Sequence, residues 1–354
     1  MCTKQTRPSG PKNTLRQLFR PLPIALCVIG IIFFYRFLPD LFAQFILHGK
    51  PVFKSSWGLV LYLVAACLYI TAFFLIFTGI AERTAVSPRK GMQIASQIMH
   101  TSACVILYIL FMFSLEKFKE IPSFLFNFPY HFRDTKDLFP PLPLAVLGSA
   151  AGFAASMLFL CVLIWLKDEY KHISDIKKLV SKKLIEPLPV YLGVVGIIFV
   201  YGVIYGLLWR FARFLTGSLS WWYNLGEFPW MTLCFVGFTG IGMYLGENQP
   251  EKSQKTIQMM RYCADYILYT LYYRCVLSLY GIWSLAALRK EYPDGAPGMT
   301  SDIIHNAVSF ILSLLFICLF TWFKDNHKTL KDIKRLAKDI EALALRIKKR
   351  IVTD

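Results

Sequence analysis

The sequence predicts an all-α, polytopic membrane protein of about eight transmembrane helices, arranged as two parallel four-helix repeats. Three observations support this fold class: the chain is strongly apolar, its apolar residues form long runs, and its two halves resemble each other. Of its 354 residues, 56% are hydrophobic and only 17% are charged, and the mean hydropathy is +0.48. Such a composition is unusual for a soluble globular protein.

Eight segments are apolar over the length of about 20 residues that a helix needs to cross a bilayer. Because lipid offers no hydrogen-bond partners to an exposed backbone, each segment is predicted to be helical. The segments are residues 22–47, 57–80, 92–115, 141–166, 189–209, 228–245, 257–285 and 303–323. Residues 121–132 (IPSFLFNFPYHF) are expected to be an outer loop, either in an aromatic belt at the interface or dipping back into the membrane.

A fifteen-residue motif marks the end of each half. It reads WLKDEYKHISDIKKL at residues 165–179 and WFKDNHKTLKDIKRL at residues 322–336, with eight identical positions. Shorter matches recur in the same order, with changes of offset only in the loops where insertions collect. They pair residues 30–33 with 196–199, 77–80 with 238–241, and 93–108 with 254–269. Since each copy has an even number of spans, the two copies are predicted to be parallel.

The repeats divide the chain into a basic N-terminus (1–21), a first repeat with a short basic helix (22–186), a second repeat (187–323) and a tail (324–354). Segments on the N-terminal side of the membrane hold 26 Lys and Arg residues, against 10 on the other side. The positive-inside rule therefore places both termini in the cytoplasm. The membrane itself, whether plasma, inner or intracellular, is left open.

The tail has the pattern of a basic amphipathic helix, with an apolar residue every three or four positions from Leu330 to Ile351. Such a helix can lie on anionic lipid headgroups, or pack against its own protein, a second copy in a homo-oligomer or a protein partner. In a soluble protein the net charge of +17 would suggest nucleic acid. Here the topology explains the charge, and no nucleic-acid partner is expected.

Charges inside predicted spans are candidates for a transport path, because burying them in lipid is costly. The seventh segment carries Arg261, Asp265 and Arg274. Arg261 and Asp265 are four residues apart and are expected to pair along one face, with Tyr269 one turn further on. The repeat counterpart of Asp265 is Cys104. A site confined to one half and a simple internal salt bridge are both compatible with this asymmetry.

Further polar candidates are Gln97 and its counterpart Gln258, and His100. The glutamines would line a polar vestibule or form hydrogen bonds between helices. His100 would be a hydrogen-bonded structural group or a proton relay. Gly148, Gly152 and Ser156 recur every four residues, which predicts a face for close helix packing, and a seam between the halves if the fourth and eighth helices meet.

Catalytic and metal-binding signatures are missing from the sequence. It contains no GxSxG, HExxH or phosphate-binding loop, and no CxxC. Eight of the nine cysteines fall in apolar segments and are interpreted as structural thiols. No catalytic residue, metal site or cofactor is therefore predicted.

Three functional hypotheses follow. The first is a channel or transporter with its path between the two halves, and the second is an assembly protein that holds a partner through its tail helix. The third, a lipid-modifying membrane enzyme, lacks a nucleophile and base that the sequence would bring together. Substrate and oligomeric state are not specified by the sequence.

The predicted orientation can be tested with epitope tags fused to each terminus. In intact cells both tags are expected to be protected from protease, and after selective permeabilisation of the plasma membrane both are expected to be cleaved, because the Lys and Arg excess holds those ends in the cytoplasm. Cleavage of either tag in intact cells would contradict the assignment.

Overall fold

A computed structural model describes residues 17–46, 56–131, 142–169, 188–216, 222–249, 253–291 and 299–326. All regular structure in these ranges is helical, with eight helices and no strands. They are α1 (Leu22–Ile46), α2 (Ser56–Ala85), α3 (Lys90–His131), α4 (Leu142–Glu169), α5 (Leu188–Thr216), α6 (Trp222–Asn248), α7 (Gln254–Glu291) and α8 (Met299–Asn326). The tail beyond Asn326 and the first sixteen residues lie outside the described ranges, so their predicted roles stay predictions.

Each of the eight predicted segments coincides with one helix, and α3 shows the largest difference in length. Its helix continues to His131 through residues predicted to form an outer loop. That stretch contains Pro122 and Pro129, which suggested a break. A proline removes one backbone hydrogen bond, but the turns on either side can continue the helix with a kink.

Among the described residues, six helices contain a stretch long and apolar enough to cross a membrane, and they indicate a multi-pass membrane protein. The stretches are Ala65–Ala85, Lys90–Ile121, Val146–Ile164, Leu188–Leu208, Glu227–Asn248 and Met299–Asp325. In α1 the residues whose side chains are described form a shorter apolar helix, Leu22–Phe37. The more polar α7 carries Arg261, Asp265 and Arg274 within its length.

The outer surface of the bundle is apolar. Large hydrophobic side chains point outward on several helices, with exposed fractions of 66% for Leu68, 62% for Phe211 and 65% for Leu233. In water such a surface would favour aggregation, whereas in a bilayer it contacts lipid chains at no cost. The surface therefore agrees with the apolar helices in indicating a membrane location.

Two helices, α3 and α7, form the centre of the bundle. Helix α3 packs against α1, α2, α4, α5 and α7, and helix α7 packs against α1, α3, α5, α6 and α8. Several α7 side chains, including Cys263, Leu271 and Cys275, are completely buried. Because its neighbours separate α7 from lipid, this helix can carry charged and hydroxyl groups that an outer helix could not.

The main contacts between the first four and the last four helices are those of α1 and α3 with α7. The condition for a seam between α4 and α8 is not met by the main contacts of the described residues: α4 packs mainly on α3, and α8 mainly on α7. On the small-residue face of α4, Gly152 lies against Lys117 of α3, while Gly148 has open space beside it. Ser156 is buried and donates a hydrogen bond to the Phe153 carbonyl. A packing role for this face stays a prediction.

Helices α5 and α7 approach each other closely at Gly193. A Cβ atom at this position would lie 2.8 Å from the sulfur of Met259. One turn further along α5, a Cβ atom at Gly196 would meet nothing within 4 Å. The missing side chain at Gly193 therefore leaves room for the end of the Met259 side chain, and small residues commonly allow such close contacts in membrane bundles.

Replacing Gly193 by leucine is expected to destabilise the protein by about 1–3 kcal/mol, because the new side chain would overlap that of Met259 and force it to repack. Gly196→Leu is the matched control and is expected to have little effect. Thermal unfolding of the two purified variants in detergent, followed by circular dichroism, gives the comparison. Equal melting temperatures for the two variants would contradict the close approach.

Candidate functional site

A cavity of about 300 Å³ lies between α3, α4, α5, α7 and α8, beside the contact of the two central helices. Among the described residues, the charged ones that line it are Asp265 and Lys324, and its other polar groups include His100 and Cys104. Much of the remaining wall is aromatic. These aromatic residues are Tyr108, Phe111, Tyr191, Tyr262, Tyr266 and Tyr269. The cavity thus combines two opposite charges with an extensive ring surface.

The two charges form an ion pair between helices. Lys324 Nζ donates to Asp265 Oδ1 at 2.5 Å. The side chain of Asp265 is 26% exposed and that of Lys324 is 52% exposed, so the pair lies at the mouth of the cavity rather than deep within it. Since Lys324 is two residues from the end of α8, the mouth is at the end of the bundle where α8 ends.

This pairing differs from the sequence-based expectation that Asp265 would pair with Arg261. The Arg261 side chain is exposed and does not line the cavity. Two residues four apart on one helix can pair, but such pairs are weak. The packing of α8 on α7 brings a second cation to the carboxylate from another helix, which the spacing along α7 does not reveal.

Tyrosines form the inner wall of the cavity. The Tyr108 hydroxyl of α3 donates to Thr270 Oγ1 of α7 at 3.0 Å. The Tyr108 ring lies 5.2 Å from the ring of Tyr266 and 6.4 Å from that of Tyr269, measured between centroids. These contacts join the two central helices and close the inner end of the cavity with ring surface.

On α3, His100 and Cys104 line the same cavity and lie one turn apart. Their nearest atoms, His100 Nδ1 and Cys104 Sγ, are 3.7 Å apart. The described residues contain no group of three or more His, Cys, Asp or Glu side chains placed to hold a metal ion. What this arrangement can do is bind a small molecule through charge, hydrogen bonds and ring contacts.

The structure places three of the predicted path residues, Asp265, His100 and Tyr269, in the cavity wall. Gln258 does not line the cavity but contacts a residue that does: its Nε2 donates to the Tyr262 hydroxyl at 3.1 Å. Gln97 is exposed and does not line the cavity. The two glutamines therefore do not form a common polar ring around the cavity.

Arg274 belongs to a separate polar contact. It forms a 2.6 Å ion pair with Glu227 of α6, and its guanidinium group lies 5.3 Å from the centre of the Phe228 ring. Arg274 is nine residues beyond Asp265, or about 14 Å along the axis of α7. This pair lies toward the opposite end of the bundle from the mouth of the cavity.

Three residues that form these contacts were not among the candidates predicted from the sequence: Lys324, Tyr191 and Glu227. Lys324 belongs to the repeated Trp-x-Lys-Asp motif, which by sequence indicates only the end of each half. Nothing in the motif indicates a contact with Asp265, which lies 59 residues earlier. Tyr191 on α5 stacks on Tyr262 at 5.2 Å, and nothing in the local sequence around Tyr191 indicates that contact.

No protein-family model, no curated protein and no solved structure matches this chain. The class that the structure defines is a multi-pass helical membrane protein with a charged, aromatic cavity between its central helices. Its function is inferred from that geometry.

The cavity predicts a difference in reactivity among three cysteines near the charges. Cys104 lines the cavity, whereas Cys263 and Cys275 are completely buried. A small charged maleimide is expected to modify Cys104 in the folded protein, and the other two only after denaturation, with peptide mass spectrometry as the readout. Cys104→Ser is the control for peptide assignment. Protection of Cys104 comparable to that of Cys263 would show that water does not enter the cavity.

Proposed function

We propose that the protein is an integral membrane transport protein, a channel or transporter, whose path runs between two duplicated four-helix halves. The observation that carries this proposal is the cavity with the Asp265–Lys324 pair between the central helices. Charged groups inside a membrane bundle are costly and usually mark a pathway or a binding site. A cavity with few polar groups and mostly apolar walls is typical of a site for a small ligand.

Equivalent contacts in the two halves support the duplication. In the first half Ser96 donates to the Ala81 carbonyl at 2.8 Å, and the counterparts of these residues, Ile257 and Gly242, also lie against each other. The counterparts of another contact, between Glu120 and Ser149, are Gly281 and Asn306, which are again neighbours. Related halves around a central site are a common architecture for transporters.

The centre of this arrangement lies between Tyr108 and Tyr269. They are repeat counterparts, at an offset of 161 residues, and their rings lie 6.4 Å apart. Contact between counterpart residues is what a two-fold axis between the halves produces. Movement of one half against the other about this contact would open the tyrosine layer, and the cavity mouth would then be the cytoplasmic entrance.

Flux measurements on reconstituted protein test the proposal. Liposomes containing the protein are expected to swell in isosmotic solutions of at least one small solute, followed by stopped-flow light scattering with a set of neutral, charged and zwitterionic solutes. Asp265→Asn is expected to slow that swelling about tenfold, equivalent to roughly 1.4 kcal/mol in the barrier. The reason is that the variant removes the carboxylate at the cavity mouth.

Asp325→Asn is the matched control, because Asp325 is an exposed carboxylate beside Lys324 that does not line the cavity. It is expected to leave the swelling rate unchanged. Swelling no faster than in protein-free liposomes for every solute would argue against a conduit. Equal rates for Asp265→Asn and the unaltered protein would remove Asp265 from the path.

A further inference from the structure

We infer that the cavity binds a small zwitterion, a molecule with one ammonium group, one carboxylate and an apolar body. That the zwitterion binds in the cavity is argued from the geometry alone. That it is also the transported substrate rests on the proposed function. The ammonium group would contact Asp265, the carboxylate would contact Lys324, and the apolar body would lie among the tyrosine rings.

Charge balance is the first argument. The two charged lining residues are already paired with each other, so the cavity is neutral before a ligand enters. A zwitterion exchanges this one ion pair for two and keeps the site neutral. A ligand with a single charge would form one new ion pair at the expense of the existing one, so it would gain no ion pair on binding.

The mobility of one partner is the second argument. Asp265 is attached by a short side chain to the central helix, about three turns from its first residue, whereas Lys324 has a flexible four-carbon stem, lies near the end of α8 and is half exposed. A lysine in this position can leave the carboxylate without moving its helix. The ion pair can therefore open to admit a ligand with little rearrangement of the bundle.

The walls and the size of the cavity define the rest of the ligand. Tyrosine faces attract an ammonium group through the ring quadrupole and provide apolar contact for a hydrocarbon body. The stacked rings of Tyr191 and Tyr262 and the crossed rings of Tyr108 and Tyr266 provide such faces. A volume of about 300 Å³ is at the small end for ligand sites. Both features fit a molecule the size of an apolar α-amino acid.

Calorimetric titration of the purified full-length protein in detergent tests this inference with matched probes. L-phenylalanine and L-leucine carry both charges, phenethylamine carries only the ammonium group, and 3-phenylpropanoate carries only the carboxylate. At least one amino acid is expected to bind saturably. Each single-charge probe is expected to bind about tenfold more weakly or worse.

Variants test whether each of the two charges contributes to ligand binding. Asp265→Asn and Lys324→Gln are each expected to weaken amino-acid binding about tenfold, and Asp325→Asn is expected to leave it unchanged. If a single variant fails to fold, the charge-exchanged variant Asp265→Lys/Lys324→Asp keeps an ion pair in place. Because both charges are still present there, it is expected to bind the amino acid more tightly than a folded single variant does.

Three results would overturn the inference. One is binding of phenethylamine as tight as that of L-phenylalanine, which would indicate a site for organic cations. Another is no saturable binding of either amino acid to folded protein, and the third is unchanged binding in both single variants. The swelling assay tests the proposed function separately. Flux of another solute without amino-acid binding would contradict the zwitterion site but support a conduit. Amino-acid binding without flux of any solute would support the site but contradict a conduit.

Discussion

The rest of this structure depends on matching the two partly buried charges of α7, Asp265 and Arg274, within the bundle. Asp265 pairs with Lys324 of α8, and Arg274 pairs with Glu227 of α6. Each pair joins α7 to a different neighbour, and leaving either charge unmatched in an apolar environment would cost several kcal/mol. These two pairs and the surrounding helices explain how the most polar of the eight helices can be among the most buried.

The contact between α3 and α7 also bears on how the cavity forms. Large tyrosine rings from both helices meet where α3 and α7 pack together. Smaller residues such as Gly193 allow α5 to approach closely elsewhere. Uneven packing of this kind leaves space beside the tyrosine layer, and the polar ends of Asp265 and Lys324 face that space. Packing and the proposed ligand chemistry therefore depend on the same residues.

Helix positions were predictable because a bilayer imposes a length and a composition on any chain segment that crosses it. All eight segments have a helix in the structure, although proline misled the interpretation of residues 121–132. The site was only partly predictable. Asp265, His100 and Tyr269 were candidates because polar groups are scarce in spans, whereas Lys324 belongs to a motif that indicates only where each half ends. Its pairing depends on how α8 packs, and no spacing rule within one helix contains that information.

The sequence by itself determined the apolar helices, the internal resemblance of the two halves and the scarcity of intramembrane charge, because each is a property of residue type and order along the chain. The tertiary structure decided which helices are central, which cation meets Asp265 and where a cavity remains. Those outcomes depend on contacts between side chains far apart in the sequence, such as residues 265 and 324. Their distance is set by the packing of whole helices rather than by local preference.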